Sequence, residues 1–471
     1  MESRKKPSLL LALVSIMSLL VILLTCIHLA GCGVNIYDPS QTCDGYTLIC
    51  KDNAAHLLDM NGNAVKTWNI NSYPAKMFPD GSVMGQGGFG EARLELSELV
   101  QYSWDGTLIW RFSDWEVVGG ESTARVHHDF QRDGNPVGYY APGQLPQSDS
   151  KVLVLAKSDV LDPEISDRPL MDDIVYEVDW GTQDATLLWQ ASDHFGELGF
   201  SATAKQLVSS HAGDYLHINS VSRIGPNRWY DPETGEGDPR FHPDNLIMDA
   251  REANIIWIVN MAESTGYEVG EIVWRVGPDY SAGTPEGDKL GQIIGQHHAH
   301  MIPEGLPGAG NILVFDNGGA AGYPLQFRWA SRILEFDPTT LDLVWKYESP
   351  NFFSFYISSA QRLPNGNTLI DEGSTGRVFE VTPTGEIVWE YVDGTGIQAL
   401  GRVYRAYRIP PEWVPGNPGG YTPWSELYEE PEAGEVTPPN EESEAGADDA
   451  MNEPEPQNPP QELEEPLTVP V

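Results

Sequence analysis

The chain has 471 residues and a net charge of −41. A surface that acidic lacks the cationic footprint that phosphate backbones require, so nucleic acid is excluded as a partner. The length holds one large domain or several small ones, and the periodicity decides between them.

The N-terminus reads as an export signal. Arg4-Lys5-Lys6 is a basic head, Leu9 to Leu24 an apolar run, and Leu29-Ala30-Gly31-Cys32 a small-residue cleavage site ending in cysteine. This segment resembles a bacterial lipoprotein signal. The resemblance implies removal of residues 1–31, a lipid on Cys32, and anchoring to the membrane on the periplasmic or cell-surface side of the envelope. An uncleaved membrane anchor is the other reading, and both place the globular part outside the cytoplasm. Residues 32–44 read as a linker. Cys43 and Cys50 flank Asp44-Gly45 in an oxidising compartment and are candidates either for a short hairpin disulfide or for a pair of free thiols.

Residues 45–428 carry a repeat, which governs the fold. A strand leads through a turn into a second strand ending in tryptophan, at Trp68, Trp110, Trp189, Trp345 and Trp389, with a divergent copy ending at Trp257 or Trp274. Turn pairs such as Asn61-Gly62, Asp105-Gly106 and Thr384-Gly385 make each unit contain a hairpin. A more apolar strand precedes most hairpins, and long helical periodicity is scarce. Six four-stranded units predict an all-β chain folded as a six-bladed β-propeller. Pro226–Pro243 and Gly277–Asp288 are too rich in Gly, Pro and charge for core strands and read as long loops roofing a site. Arg402 to Pro411 supplies a candidate closing strand. Residues 429–471 are Pro- and Glu-rich with almost no aromatics, a composition that predicts a disordered tail.

Histidines recur at the heads of the apolar strands, as His127-His128-Asp129, His217-Ile218-Asn219-Ser220 and Gln296-His297-His298-Ala299-His300. In a propeller such heads ring the channel mouth, so His128, His217 and His297 are predicted to converge there. Imidazole serves as nucleophile and base, and imidazolium as a donor to oxyanions. Two uses follow from the chemistry alone. One is metal binding by three imidazoles, with Asp129 behind them. The other is metal-free group transfer, in which one ring takes up an electrophile while the others and an arginine, Arg251, hold its oxygens. A non-catalytic envelope scaffold is the third reading.

His127-His128-Asp129, Leu216-His217-Ile218-Asn219-Ser220 with Asp249-Ala250-Arg251-Glu252-Ala253-Asn254, Gln296-His297, Leu313 to Gly318, Gln361 to Asn367 and Tyr404 to Arg408 together resemble the signatures of bacterial arylsulfate sulfotransferases. The similarity extends from about Gly45 to Pro411. It implies sulfuryl transfer from a phenolic sulfate ester to a phenol, without a nucleotide donor or any other cofactor. It also implies a transiently sulfated histidine at His297, with His128, His217 and Arg251 as partners. The chain departs from the family where His298 stands after the Gln-His histidine and His300 follows, which makes His298 and His300 rival candidates, as His127 is to His128. Trp229, Tyr230, Phe327, Trp329 and Phe352 to Phe355 are candidates to stack on a phenolic ring.

Overall fold

Each unit of the repeat becomes a four-stranded antiparallel sheet. The computed structural model describes residues 32–428, apart from 72, 89–94, 136 and 395–401. The predicted signal segment 1–31 and acidic tail 429–471 lie outside the described residues. Blade one is built from Tyr46–Lys51, Ala54–Leu58 and Ala64–Trp68, with Ala406–Ile409 as its inner strand. The inner strands of blades two to six are Ala75–Met77, Val126–Arg132, Ile218–Arg223, His297–Met301 and Ser359–Arg362, and each sheet runs outward in chain order. The expected closing strand is therefore present: the end of the chain completes the blade that its beginning starts.

The tryptophan repeat has a physical cause. Trp68, Trp110, Trp189, Trp274, Trp345 and Trp389 each stand on an outer strand and donate the indole N–H to a carbonyl in the next blade. The acceptors are Ser103, Trp180, Gly270, Pro338, Pro383 and Met60, at 2.8–3.1 Å. All six carbonyls lie in the turn before the receiving blade's outer strand. One side chain per unit thus fills the gap between blades and satisfies its only polar atom there. Trp274 is the latch of blade four, whereas Trp257 lies on the third strand and is fully buried. The turns form as their residues dictate. Asp59 Oδ1 accepts from the amides of Asn61 and Asn63, and Gly62 takes the left-handed φ of 80° that closes the hairpin.

One expectation needs correction, and one open alternative is decided. The segment read as a linker contains a strand, Gly33–Tyr37, which pairs antiparallel with Ile387–Val392 and covers the outer edge of blade six. An outer strand left bare presents unpaired amides and carbonyls; this strand covers them, packing Val34 and Tyr37 on the core across a register shift that leaves Asn35 and Ile36 exposed. Cys43 and Cys50 form no disulfide; both are buried free thiols. No hairpin separates them, because Tyr46–Lys51 is a continuous strand. At about 3.3 Å per residue its ends lie far beyond disulfide reach. Cys50 Sγ instead accepts from the Ala75 amide at 3.0 Å.

Candidate active site

Because every blade is an antiparallel meander with its strands in the same order, all inner strands begin on one face of the ring. The histidine-bearing heads lie there, together with the turn holding Arg251. The Gly277–Asp288 loop lies on this face too. Pro226–Pro243 does not: it follows the far end of its inner strand, where Trp229 donates to Gly310 O.

The heads are irregular. His128, His217 and His298 adopt left-handed φ values of 54°, 53° and 55°, and register shifts occur between Val126 and Phe130 and between His297 and His300. Bulges of this kind re-aim side chains, and left-handed non-glycine residues gather at functional sites. The left-handed residue of blade five is His298, so His297 does not share the backbone position of His128 and His217. What brings His297 to them is its surroundings.

His297 is buried, and two acceptors face its Nδ1, Asn317 Oδ1 at 2.8 Å and Gly295 O at 3.1 Å. Asn317 is oriented by donating Nδ2–H to Ser354 O, which turns its oxygen toward the ring. Two acceptors require the proton on Nδ1, so Nε2 carries the lone pair, and the Ile357 N–H donates to it at 3.2 Å. Burial, then the Arg251 guanidinium, holds His297 well below the usual imidazole range, with the His217 ring adding to the effect. It is a neutral imidazole with an aimed lone pair. Arg251 donates Nη1–H to Glu252, while its buried Nε has no acceptor.

His128 and His217 meet edge to face with ring centroids 4.5 Å apart. His217 Nδ1 donates to Asp214 Oδ2 at 2.5 Å. His128 Nδ1 lies 2.7 Å from His127 Nδ1. His127 Nε2 in turn stands 3.0 Å from Asp173 Oδ1, off the line that a good hydrogen bond needs. Lys157 bridges the two carboxylates, 2.7 Å from Asp173 and 2.6 Å from Asp214. Burial, followed by the His217 and His127 rings, keeps His128 well below its ordinary pKa. Tyr73 packs beside His128, its ring 5.8 Å from His128 and 4.8 Å from Tyr404.

His298 and His300 belong to another cluster. His298 faces Ala360 O, and His300 bonds Tyr139 Oη at 2.9 Å, farther along the channel. There Asp129 accepts from Lys76 at 2.8 Å and from Arg405 at 2.9 Å. Burial pushes His300 down to about 4. The structure thus gathers His128, His217, His297 and Arg251, places His127 behind His128, and turns His298 and His300 away. Among the described residues no three His, Cys, Asp or Glu side chains are arranged to hold a metal ion. Sequence reasoning missed Asn317, Asp214, Asp173 and Lys157. The local signals were Asp214, three residues before His217, and Lys157, directly after the apolar run Val152-Leu153-Val154-Leu155-Ala156.

The inner strand of blade five is tied to blade four by Asp249, whose Oδ2 accepts from the Ala299 amide and from Ser220 Oγ, both at 2.7 Å. Burial raises Asp249 to about 7, against 3.8 for a free aspartate. The folded chain therefore keeps a proton that the unfolded chain has lost. The stabilising contribution is complete below about pH 4 and disappears as pH rises through about 7. Asp249→Asn is expected to flatten the fall in melting temperature over that interval relative to wild type.

The stacking candidates separate. Phe352 is core, packed on Phe315 and Phe379, and Tyr230 is buried on the opposite face. Phe327, Trp329, Phe353 and Phe355 form one ring cluster on the histidine face, with Trp329 78% exposed. Phe355 lies two residues before the Ile357 amide that touches His297.

A family profile described as arylsulfotransferase (ASST) matches residues 148–394. No curated protein matches the chain significantly. Among solved structures, the chain is similar to a protein of unknown function from Bacteroides caccae (10% identity, TM-score 0.41), covering 78% of this chain and 99% of that one. It is also similar to virginiamycin B lyase from Staphylococcus aureus (9% identity, TM-score 0.32, 77% and 88% covered). A third is Saccharomyces cerevisiae Sqt1 (10% identity, TM-score 0.35, 77% and 89% covered).

Proposed function

This chain belongs to the arylsulfotransferase family, whose chemistry is sulfuryl transfer, and we propose that His297, His128, His217 and Arg251 carry that transfer from a phenolic sulfate ester to a phenol through a sulfated His297. The observation that carries this reading is the environment of His297. A nucleophilic imidazole must be neutral, must present one lone pair, and must have cationic donors beside the group it attacks. The Asn317 and Gly295 acceptors meet the first two needs, and Arg251, with a free Nε–H, meets the third.

In the first step Nε2 attacks sulfur as the S–O bond to the phenol breaks, the bonding pair leaving as phenolate. The ring keeps its proton on Nδ1, and Asn317 Oδ1 supports the positive charge that develops there. The Ile357 N–H, relieved of the lone pair, turns to a sulfuryl oxygen, and Arg251 holds another. In the second step an acceptor phenol gives up its proton, attacks sulfur, and restores Nε2. The need is for positioning and charge stabilisation around equatorial oxygens, as in phosphoryl transfer. The two steps share one site, which requires ping-pong kinetics.

The exposed ring cluster is placed to stack on the aryl group of either substrate. Trp329→Ala is expected to raise KM for a two-ring aryl sulfate by roughly threefold to tenfold with kcat little changed, the scale of one aromatic contact. Equal KM in the two proteins would remove Trp329 from the binding surface. Cys32, exposed at the start of the edge strand, would carry the lipid that tethers the propeller to the envelope.

The direct test follows nitrophenolate release from 4-nitrophenyl sulfate by the full chain, with and without phenol. Release that depends on phenol and survives a chelator is expected. Release without an acceptor would make the protein a hydrolase, and loss on chelation would make it a metalloenzyme. No release, with this donor or others of its class, would favour a scaffold.

A further inference from the structure

The two partner histidines are chemically alike in sequence but differently wired in the fold. His217 donates Nδ1–H to a carboxylate, Asp214, at 2.5 Å. His128 shares its Nδ1 contact with a neutral ring, His127. Asp214 is fixed from both sides: the amide of His217 donates to its Oδ1 at 3.1 Å, and Lys157 Nζ approaches the same oxygen at 2.6 Å. Lys157 is wholly buried and also holds Asp173, whose Oδ2 accepts from the Ile218 amide next to His217. Burial alone would raise the Asp214 carboxyl, but Lys157 and His217 hold it well below its ordinary value, so it is an anion under the ring.

A carboxylate at one nitrogen of an imidazole fixes the tautomer and stabilises the imidazolium that forms when the other nitrogen takes a proton. His128 has no carboxylate bonded to its ring: burial, its two histidine neighbours and the Lys157 cation oppose its charged form and outweigh the more distant pull of Asp214. The other charged or titratable groups facing His217 are Arg251, whose amide donates to His217 O, and His297.

We infer that His217, held by Asp214 on its Lys157 support, is the group that moves the proton in both half-reactions, and that Asp214 and Lys157 are positioning residues for it. This rests on the sulfuryl-transfer reading of the site. In the donor step the imidazolium of His217 passes its Nε2 proton to the departing phenolate oxygen as the S–O bond breaks. In the acceptor step His217 Nε2 takes the proton of the phenol O–H as the new S–O bond forms and the S–N bond breaks. Protons balance over the cycle, and no other reactant is needed. His128 stays neutral and positions the sulfuryl group.

The test compares two donors in the full-length protein: 4-nitrophenyl sulfate, whose leaving phenolate is a weak base, and 4-methylphenyl sulfate, whose phenolate is a strong one. With general-acid help lost, the basic leaving group suffers most. Asp214→Asn is expected to slow transfer from the methylphenyl donor roughly 100-fold more than from the nitrophenyl donor. Should that variant fail to fold, His217→Gln is expected to show the same steepened leaving-group dependence, and His128→Gln to slow both donors alike. A purely structural loss cannot change the ratio between donors. An unchanged ratio in Asp214→Asn and His217→Gln, with wild type active, overturns the role of Asp214 and leaves the function standing. A wild type that transfers from neither donor overturns both.

Discussion

His297→Ala is expected to reduce transfer from 4-nitrophenyl sulfate by on the order of 10⁴-fold or more while leaving the propeller folded. Removing a residue that forms the covalent intermediate forfeits the whole two-step route rather than one contact, and losses of that scale are usual for such nucleophiles. The fold should survive. The strand His297–Met301 pairs through its backbone with Ile312–Asp316, and the ring's partners are Asn317, the Gly295 carbonyl and the Ile357 amide. These groups have further bonds of their own, such as Asn317 to Ser354 and Ser358. Thermal unfolding within a few degrees of wild type, with no turnover, is the predicted pair of results. His298→Ala in parallel should retain far more activity, since its ring faces Ala360 O and the channel. A reversal, with His298→Ala inert and His297→Ala active, would move the nucleophile by one position.

The largest loss of stability is expected from Arg408→Leu. Arg408 lies on the strand that closes the ring, donates to Glu380 at 2.9 Å and to Thr47 at 2.8 Å, and stacks over Trp389 at 4.5 Å. Neither Arg408 nor Glu380 has any exposed side-chain surface. Deleting one member of a buried pair leaves the other desolvated and uncompensated, at a cost of about 3–5 kcal/mol. The Cys43 amide and Asn367, which also bond Glu380, bring the expectation to the lower end of that range. Replacing both residues by leucine should recover part of the loss, because an apolar pair of similar volume avoids the orphaned carboxylate. Denaturant unfolding of Arg408→Leu and of the double variant, each against wild type, measures this. A single mutant within about 1 kcal/mol of wild type would show that the pair contributes little to closure.

The fold was legible because one repeat unit has one unmistakable mark. Each outer-strand tryptophan reaches a carbonyl of the next blade, so the tryptophans count the blades, and only the divergent unit left Trp257 and Trp274 undecided. The edge strand Gly33–Tyr37 was overlooked since five residues pairing with a partner more than 350 positions away leave no periodicity. The site was partly legible for a different reason. Strand heads converge by topology, which brought His128 and His217 together on paper as in the structure. His297 joined them on a mistaken equivalence, for the bulge puts His298 in the left-handed position. What selects His297 is Asn317, a side chain twenty residues away, just past the end of the neighbouring strand. The pairing of Lys157 with Asp173 and Asp214 was hidden for the same reason, since charge pairing across strands depends on register and register is not written in local sequence; Asp214, three residues before His217, was within reach of a local reading.

The most direct measurement is to expose the protein to 4-nitrophenyl sulfate without acceptor, quench under alkaline conditions that preserve sulfated nitrogen, and map the product by peptide mass spectrometry. One sulfuryl group on the peptide containing His297, discharged when phenol is added before the quench, is the predicted result. No modification while phenol-dependent transfer proceeds would mean direct transfer between substrates, and a sulfuryl group on any other residue would place the nucleophile elsewhere.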